Sequence, residues 1–388
     1  MDQIPNDISL EEGLYLRQSY FDKARRIVVK VGSAVLTNDR GVDESVIMNI
    51  ARELTFLQNS GREVILVSSG AVAAGRKKLS ISGKTTMGLD DKQALAAIGQ
   101  PRLMQSYENA FEECEQTVAQ VLLTHSDLAD RKRYLRVRNT ILALFRFNVI
   151  PILNENDTVA VDELRFGDND TLAALIANLI EADMFICLTD VVGLYTGNPQ
   201  TDPDARPVYT VSSVTEEIEA MAGNVKSALG TGGMQSKIRA AKMVSAGGGS
   251  SFIGPGKQET ILQQLFSGEM IGTFFLPAGD KINARKQWIA HVLHPKGYLV
   301  LDQGACHALS ERGCSLLPSG VLEVRGNFGV GDSVHCLSPD GKVVAAGLIN
   351  YCSTDVDKIK RHHSEEIATL LGVKDYDEVI HRDNLVLL

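Results

Sequence analysis

The sequence predicts an α/β fold with a mostly parallel sheet sandwiched by helices, followed by a small β-barrel-like module. From about residue 26 to 253, short apolar and β-branched runs alternate with longer stretches of helical period, which is typical of a parallel sheet covered on both faces. After about residue 280 the strand-like runs become shorter and glycines separate them, which is typical of a small barrel. The length of 388 residues allows two domains.

Each element follows from its local pattern. Residues 27–31 form a continuous apolar run except for Lys30, and residues 43–59 repeat apolar side chains at a spacing close to 3.6, with Gly61 just beyond. Further strands are predicted at 64–67, 118–123, 149–153, 184–188 and 251–253, and helices at 92–111, 134–147, 171–180 and 234–246. Strands of the C-terminal module are predicted at 299–301, 321–325, 333–337 and 343–349.

Four segments make up the predicted domain organisation. Residues 1–24 are a polar N-terminal extension, whose role the sequence does not disclose. Residues 25–280 form the large α/β domain, 281–294 a linker, and 295–388 the β-module with a C-terminal tail.

Composition and charge exclude several classes of protein. The net charge of −9 disfavours broad nucleic-acid binding, because an acidic surface repels phosphate backbones. No apolar run reaches the ~18 residues of a membrane helix, and the N-terminus is acidic where a signal peptide would be basic. Six cysteines without a CxxC pair favour buried thiols in a reducing compartment. We therefore expect a cytoplasmic protein with no membrane partner.

Residues at two strand ends are candidates for binding a phosphate. Lys30 and Gly32 end the first strand, where a cation and exposed backbone N–H groups would suit a polyphosphate. Ser69 and Gly70 follow the strand at 64–67 and open a helix, a place that favours an anion. An ordinary tight turn and a plain serine N-cap would explain the same residues.

Two acidic clusters are candidates for a second ligand. The cluster at 154–157 follows a strand, and the cluster at 167–170 precedes a helix. Their carboxylates and amides could hold the ammonium of an amino acid or organise hydrated Mg²⁺. In the alternative interpretation, Asp170 only caps its helix and Asp157 lies in a turn.

Two more segments point to a nucleotide. Thr189 and Asp190 follow the strand at 184–188, where an acid can hold a ribose hydroxyl or a base amine; a simple turn is the alternative. The segment 230–237 places three glycines and Lys237 at the start of a helix, a cradle with a cation for a transferring phosphoryl group. It matches neither a Walker A loop nor a dinucleotide fingerprint.

Taken in order, these segments resemble the amino acid kinase family, within it the branch that phosphorylates glutamate. The resemblance covers about residues 26–388 and implies an amino acid kinase fold followed by a PUA-type module. The matching segments are VVKVGS (28–33), VSSGAVAAGR (67–76), ILNEND (152–157), GDND (167–170), LTDVVGLYT (188–196), GTGGM (230–234) with Lys237, ERGCSLLPSG (311–320), RGNFGVGD (325–332) and HHSEEI (362–367).

The resemblance implies roles for the phosphate side of the site. Lys30 resembles a lysine that contacts the ATP phosphates, Lys237 a cation that stabilises the transition state, and Asp170 the acid that organises the lysines and the metal. The implied ATP-binding positions are Lys30, Gly32, Thr189, Asp190, Thr231, Gly232, Gly233, Met234, Gln235, Ser236 and Lys237.

The same resemblance implies the acceptor side and the reaction. Ser69, Asp157 and Asn169 match glutamate contacts, with Asp168 beside them. The implied reaction transfers the γ-phosphate of MgATP to the γ-carboxylate of L-glutamate, the first step of proline biosynthesis. Mg²⁺ is expected to be held mainly by phosphates and water, without protein ligands. Feedback inhibition by proline and a homo-oligomer, dimer or tetramer, are also implied.

Two alternatives remain open at this point. One is another carboxylate kinase of the same fold, acting on acetylglutamate or aspartate. The other is an RNA-binding protein, since PUA-type modules bind RNA elsewhere. Residues 295–388 hold 9 Lys and Arg against 13 Asp and Glu, a net charge of −4, whereas a phosphate-binding face would be basic. A structural or regulatory role of the module is therefore favoured.

Overall fold

The computed structural model describes residues 8–38, 41–81, 87–160, 168–199, 201–222, 233–279 and 295–388. The predicted linker 281–294 lies outside them. The chain divides into two compact units, one containing Met1–Ala129 and Arg136–Gly279 and the other containing Asp130–Leu135 and Asp280–Leu388.

Up to residue 279, the described chain alternates strands with helices. The strands are β1 (Arg26–Val31), β2 (Thr37–Asn38), β3 (Gly41–Val42), β4 (Glu63–Ser68), β5 (Val118–Leu123), β6 (Ile150–Glu155), β7 (Met184–Thr189), β8 (Leu194–Tyr195), β9 (Pro207–Val208), β10 (Thr210–Val211), β11 (Ser250–Pro255) and β12 (Thr273–Phe275). The helices are α1 (Leu10–Lys23), α2 (Ser33–Leu36), α3 (Glu44–Asn59), α4 (Ala71–Lys78), α5 (Leu89–Glu112), α6 (His125–Ala129), α7 (Arg131–Arg146), α8 (Asn169–Leu179), α9 (Glu216–Met221), α10 (Met234–Ala246) and α11 (Ile261–Phe266).

Eight of these strands form one mostly parallel sheet, in the order β10-β12-β11-β7-β1-β4-β6-β5. Of its described pairings, only β11 with β12 is antiparallel. Consecutive residues of β1, β4 and β7 are buried, so both faces of the sheet are covered, as predicted. Because β1 pairs with β4 on one side and with β7 on the other, the crevice expected of such sheets lies at the carboxyl end of β1.

The second unit contains a separate, antiparallel-rich sheet. Its strands lie in the order β14-β13-β15-β16-β17, and only β13 and β15 pair in parallel. All four strands predicted here are present, with bounds shifted by a few residues. The elements are β13 (Gly297–Leu301), β14 (Val321–Gly326), β15 (Ser333–Leu337), β16 (Val343–Leu348), β17 (Leu385–Leu387), α12 (Gln303–Arg312), α13 (Ser353–Ile359) and α14 (Ile367–Leu371).

The N-terminal segment contains a helix that the sequence analysis did not assign. Helix α1 buries Phe21 against the rings of Phe252, Phe266 and Phe274. The buried Arg17 guanidinium lies 5.6 Å from the ring centroid of Phe252 and donates to the Glu269 carbonyl at 3.0 Å. Burial lowers the pKa of Arg17 to about 10. Because the segment is polar in composition, its sequence did not indicate this packing. Among the described residues, no helix combines the length and the apolar character needed to cross a bilayer.

Helices α4 and α5 approach each other at two glycines. A Cβ atom on Gly75 would lie 2.0 Å from the carbonyl oxygen of Leu95, and one on Gly99 would lie 1.8 Å from that of Ala71. Both distances are far below a van der Waals contact, and the obstructing atoms belong to the backbone. The two helix axes are therefore held at a separation that only glycine permits at these positions.

We expect Gly99→Ala to destabilise the protein by about 1–3 kcal/mol, because the added methyl forces α5 away from α4. Urea unfolding of the full chain, followed by circular dichroism, measures the change. The control is Gly279→Ala, whose new Cβ would have no atom within 4 Å and which we expect to change stability by less than about 0.5 kcal/mol. Equal effects of the two substitutions would contradict this account of the helix packing.

Candidate active site

Three elements bring two lysines onto one carboxylate at the end of β1. Asp170, in the first turn of α8, accepts the Lys30 ammonium on Oδ1 at 2.6 Å and the Lys237 ammonium on Oδ2 at 3.3 Å. The three side chains are 1–8% exposed. The two lysines therefore converge on a shared buried partner, although 207 positions separate them in the sequence.

Two uncharged groups complete the surroundings of this carboxylate. The Ser236 hydroxyl lies 2.7 Å from Asp170 Oδ2, and the Cys187 thiol lies 3.5 Å from Oδ1. Cys187 is next to Lys30 in the register of the parallel strands β7 and β1. Each carboxylate oxygen thus faces one ammonium and one neutral donor, which fixes the orientation of the Asp170 side chain.

The pKa values in this cluster follow from burial and charge pairing. Burial favours the neutral form of Asp170, but the charges of Lys30 and Lys237 outweigh it and hold the pKa of Asp170 well below its usual range. Burial also acts to lower the pKa of Lys30, yet the Asp170 carboxylate raises it above the usual value. Burial raises the pKa of Cys187 to about 12, so the thiol stays protonated and can donate. Asp170 thus brings one negative charge against two ammonium groups, and the charge of Asp168 also acts on Lys30.

Local backbone structure places both ammonium groups. Gly32 follows β1 directly, and a Cβ atom there would make an ordinary van der Waals contact with Lys30 Nζ at 3.5 Å, so this backbone position lies beside the ammonium. Helix α10 begins at Met234 after the N-cap Gly233, and Lys237 lies in its first turn with Nζ 3.5 Å from the Gly233 carbonyl oxygen. Backbone N–H groups at a helix start and two nearby cations form a site that suits a transferring phosphoryl group.

The three adjacent residues of the segment 168–170 make different contacts. Asp168 is the N-cap of α8 and accepts the backbone N–H of Thr171 at 2.8 Å. Asp170, which the alternative interpretation treated as a cap, instead faces the lysines. Asn169 points to the strand ends, where its amide nitrogen lies 2.8 Å from the Ser68 carbonyl oxygen and 3.0 Å from Ser69 Oγ.

The remaining predicted positions lie at neighbouring strand and helix ends. The buried Thr189 ends β7, and its hydroxyl donates to the Asp190 carboxylate at 3.0 Å. Asp157 lies half-buried in the turn after β6. Met234, Gln235 and Ser236 form the first turn of α10 with Lys237. Thr231 and Gly232 lie outside the described residues.

Sequence reasoning missed Cys187 and Gln100 as contributors, and it named Asn154 only as a member of the cluster at 154–157. The sequence indicated only a buried thiol at Cys187, because the register that places it beside Lys30 comes from the pairing of β7 with β1. Asn154, 4% exposed at the end of β6, accepts from Asn169 Nδ2 at 3.0 Å. Gln100 of α5 bonds to Asn154 at 2.9 Å. No sequence signal links Gln100 to this site, because the contact depends on how α5 packs.

Within the described ranges, no group of three or more His, Cys, Asp and Glu side chains is arranged to hold a metal ion. The Asp170 oxygens already face two ammonium groups, a hydroxyl and a thiol. They are therefore poorly placed to bind a cation as well.

Comparison with known proteins gives two family matches and full-length relatives. The model of the amino acid kinase family matches residues 25–253, and that of the PUA domain matches residues 297–371. The glutamate 5-kinase of Desulfotalea psychrophila is 61% identical over 375 residues, covering 97% of this chain and 100% of the relative. The glutamate 5-kinase of Geobacter sulfurreducens is 48% identical over 374 residues, covering 96% and 100%. Among solved structures, carbamate kinase from Giardia lamblia bound to AMP-PNP aligns with a TM-score of 0.48 at 16% identity, covering 66% of this chain and 99% of that one.

The depressed pKa of Asp170 predicts a pH-dependent stability. The ionised carboxylate stabilises the fold above the unfolded pKa of about 3.9, and this contribution is lost as the pH falls below it. Asp170→Asn leaves two buried lysines without their partner, so we expect a loss of about 3–5 kcal/mol at pH 7. Urea unfolding at pH 7, 5 and 3 should show the gap between wild type and variant narrowing toward low pH. A gap that stays constant would contradict the ion-pair account.

Proposed function

Because the chain belongs to the amino acid kinase family, we propose that it transfers the γ-phosphoryl group of ATP to the γ-carboxylate of L-glutamate. The product is γ-glutamyl phosphate, the first intermediate of proline biosynthesis. The observation that carries the proposal is the buried cluster of Lys30, Asp170 and Lys237 at the carboxyl end of β1. Relatives of nearly full length that are named glutamate 5-kinase support the choice of acceptor.

The reaction needs positioning and charge more than covalent chemistry. A γ-carboxylate oxygen of glutamate attacks the γ-phosphorus while the bond from that phosphorus to the bridging oxygen breaks, and ADP leaves with the electron pair. Both reactants are anions, so their approach is opposed. Unit charges ~4 Å apart interact by roughly 4 kcal/mol at an effective dielectric constant of 20. We assign the neutralisation of this repulsion to Lys30 and Lys237, and the placement of both to Asp170.

We propose that residues on both sides of this cluster contact the two substrates. We assign the glutamate side to Ser69, Asp157, Asn169 and Asp168. Asn169 donates to Ser69 just past β4 and directly precedes Asp170 in the chain. We assign the nucleotide side to Gly32, Thr189 and Asp190 and to the segment 231–237, whose described part opens α10.

Mg²⁺ fits this site as a companion of ATP. Because the Asp170 oxygens face four donors, we propose that phosphate oxygens and water hold the metal. Its chemistry is to offset charge on the phosphates. The protein residues then position the two substrates.

The alternatives are less well supported. Kinases of acetylglutamate or aspartate share the fold, but the relatives reported above carry the glutamate name over nearly the whole chain. RNA binding is disfavoured by the net charge of −4 on residues 295–388.

The matched ranges 25–253 and 297–371 lie within the two domains predicted at 25–280 and 295–388, and we propose that division of the chain. Proline inhibition, a homo-oligomeric state and a cytoplasmic location stay predictions.

We expect ADP release with ATP and Mg²⁺ to depend on L-glutamate, and hydroxylamine to trap the acyl phosphate as a hydroxamate. The measurement is a coupled ADP assay over a panel of L-glutamate, N-acetyl-L-glutamate and L-aspartate. Phosphorylation of either of the latter two without glutamate would overturn the choice of acceptor.

Lys237→Ala should lower kcat by about 10²–10³-fold with little change in either KM, because this ammonium acts mainly in the transition state. The matched control is Lys242→Ala on the same helix, since Lys242 is exposed and pairs with Glu219 at 2.5 Å. Steady-state kinetics of both variants decide the point. If the two variants lose activity equally, or Lys237→Ala changes only KM, the assigned role is wrong.

A further inference from the structure

A chain of side-chain amides connects the glutamate side of the site to helix α5. Asn154 Nδ2 donates to Gln100 Oε1 at 2.9 Å, and Asn169 Nδ2 donates to Asn154 Oδ1 at 3.0 Å. Asn169 Nδ2 also lies 3.0 Å from Ser69 Oγ. The chain therefore runs from Gln100 through Asn154 to the two residues proposed to contact glutamate.

Two backbone groups fix the directions of the two asparagine amides in this chain. The Ser68 carbonyl can only accept, so Asn169 must present its nitrogen there, at 2.8 Å. The backbone N–H of Glu155 can only donate, so Asn154 must present its oxygen, at 2.9 Å. The Asn154 nitrogen then faces α5, where Gln100 supplies the acceptor.

Burial makes that acceptor important. Asn154 is 4% exposed, so its amide N–H has little access to water. Without an acceptor on Gln100, the buried Asn154 N–H is left unsatisfied, and Asn154 can reach another acceptor only by moving away from Glu155 and Asn169. The orientation of Asn169 would change as a consequence.

We propose that Gln100 is a positioning residue for the acceptor substrate, which acts through Asn154 to hold Asn169 and Ser69 in their binding arrangement. The proposal rests on the proposed function, since it takes L-glutamate as the ligand of Asn169 and Ser69. Gln100 is half-buried and follows Gly99, where α5 lies close against α4.

The test compares Gln100→Met with Gln105→Met in the full chain. Methionine keeps the length of the side chain but removes the amide acceptor. Gln105 lies on the same helix, is exposed and bonds only to Asn109 among the contacts described for its amide. We expect Gln100→Met to raise KM for L-glutamate about tenfold, which is about 1.4 kcal/mol, with KM for ATP unchanged and kcat altered less. We expect Gln105→Met to behave as wild type.

A double-mutant cycle with Asn169→Ala separates positioning from direct contact. If Gln100 acts through Asn169, its loss should matter less once Asn169 has lost its amide, and the double variant should fall short of the product of the single effects by about threefold or more. A double variant whose effect on KM equals the product of the two single effects would overturn the proposal. An unchanged KM for glutamate in Gln100→Met would overturn it as well.

Two further measurements keep the outcome interpretable. The rise in thermal midpoint caused by L-glutamate alone, without ATP, should be smaller for Gln100→Met than for wild type. Gln100→Leu removes the same acceptor and serves if the methionine variant does not fold. If the wild type shows no glutamate-dependent ADP release, the proposed function is refuted. If the wild type is active and the Gln100 variants keep its KM for glutamate, this inference alone is refuted.

Discussion

The arrangement of the site depends on a single buried carboxylate between two lysines. Asp170 neutralises part of the charge that Lys30 and Lys237 bring into the interior, and each of its oxygens also faces a neutral donor, Ser236 or Cys187. A lone buried ammonium would lose its proton or destabilise the fold. Asp170 pairs with both lysines and so holds two ammonium groups together at the end of β1, an arrangement that suits a reaction between two anions.

Three consecutive residues at the start of α8 connect the two halves of the site. Asp168 caps the helix, Asn169 faces the amide chain of the acceptor side, and Asp170 faces the lysines. A shift of this helix start would therefore disturb both substrates together. The lysine half depends on ion pairs, whereas Asn154 and Asn169 are held by the direction of neutral amides.

Most of the fold, and the residues at the ends of its strands, could be predicted from the sequence. The apolar runs of β1, β4 and β7 predicted a sheet buried on both faces, and Lys30 stood out as the one charge inside such a run. The pattern at 167–170 left two roles open for Asp170, a site acid or the cap of its helix, and did not identify Asp168 as the cap. Only the direction of the helix relative to β1 decides between them.

Features that depend on packing between distant segments could not be predicted. Gln100 of α5 meets Asn154 of β6, and α5 lies close against α4 at Gly99, yet no local sequence pattern indicates either contact. Helix α1 looks polar in sequence, yet its Arg17 is buried over an aromatic ring. In each case, a polar residue is accommodated by partners far away in the chain.

The central claim is that both lysines of the cluster serve one phosphoryl group. A crystal structure with ADP, aluminium fluoride and L-glutamate tests it most directly. We expect the fluoride that mimics the transferring group to lie within about 3 Å of both Lys30 Nζ and Lys237 Nζ, with the glutamate γ-carboxylate on its opposite side. A phosphoryl mimic bound elsewhere, or contacted by neither lysine, would contradict the account.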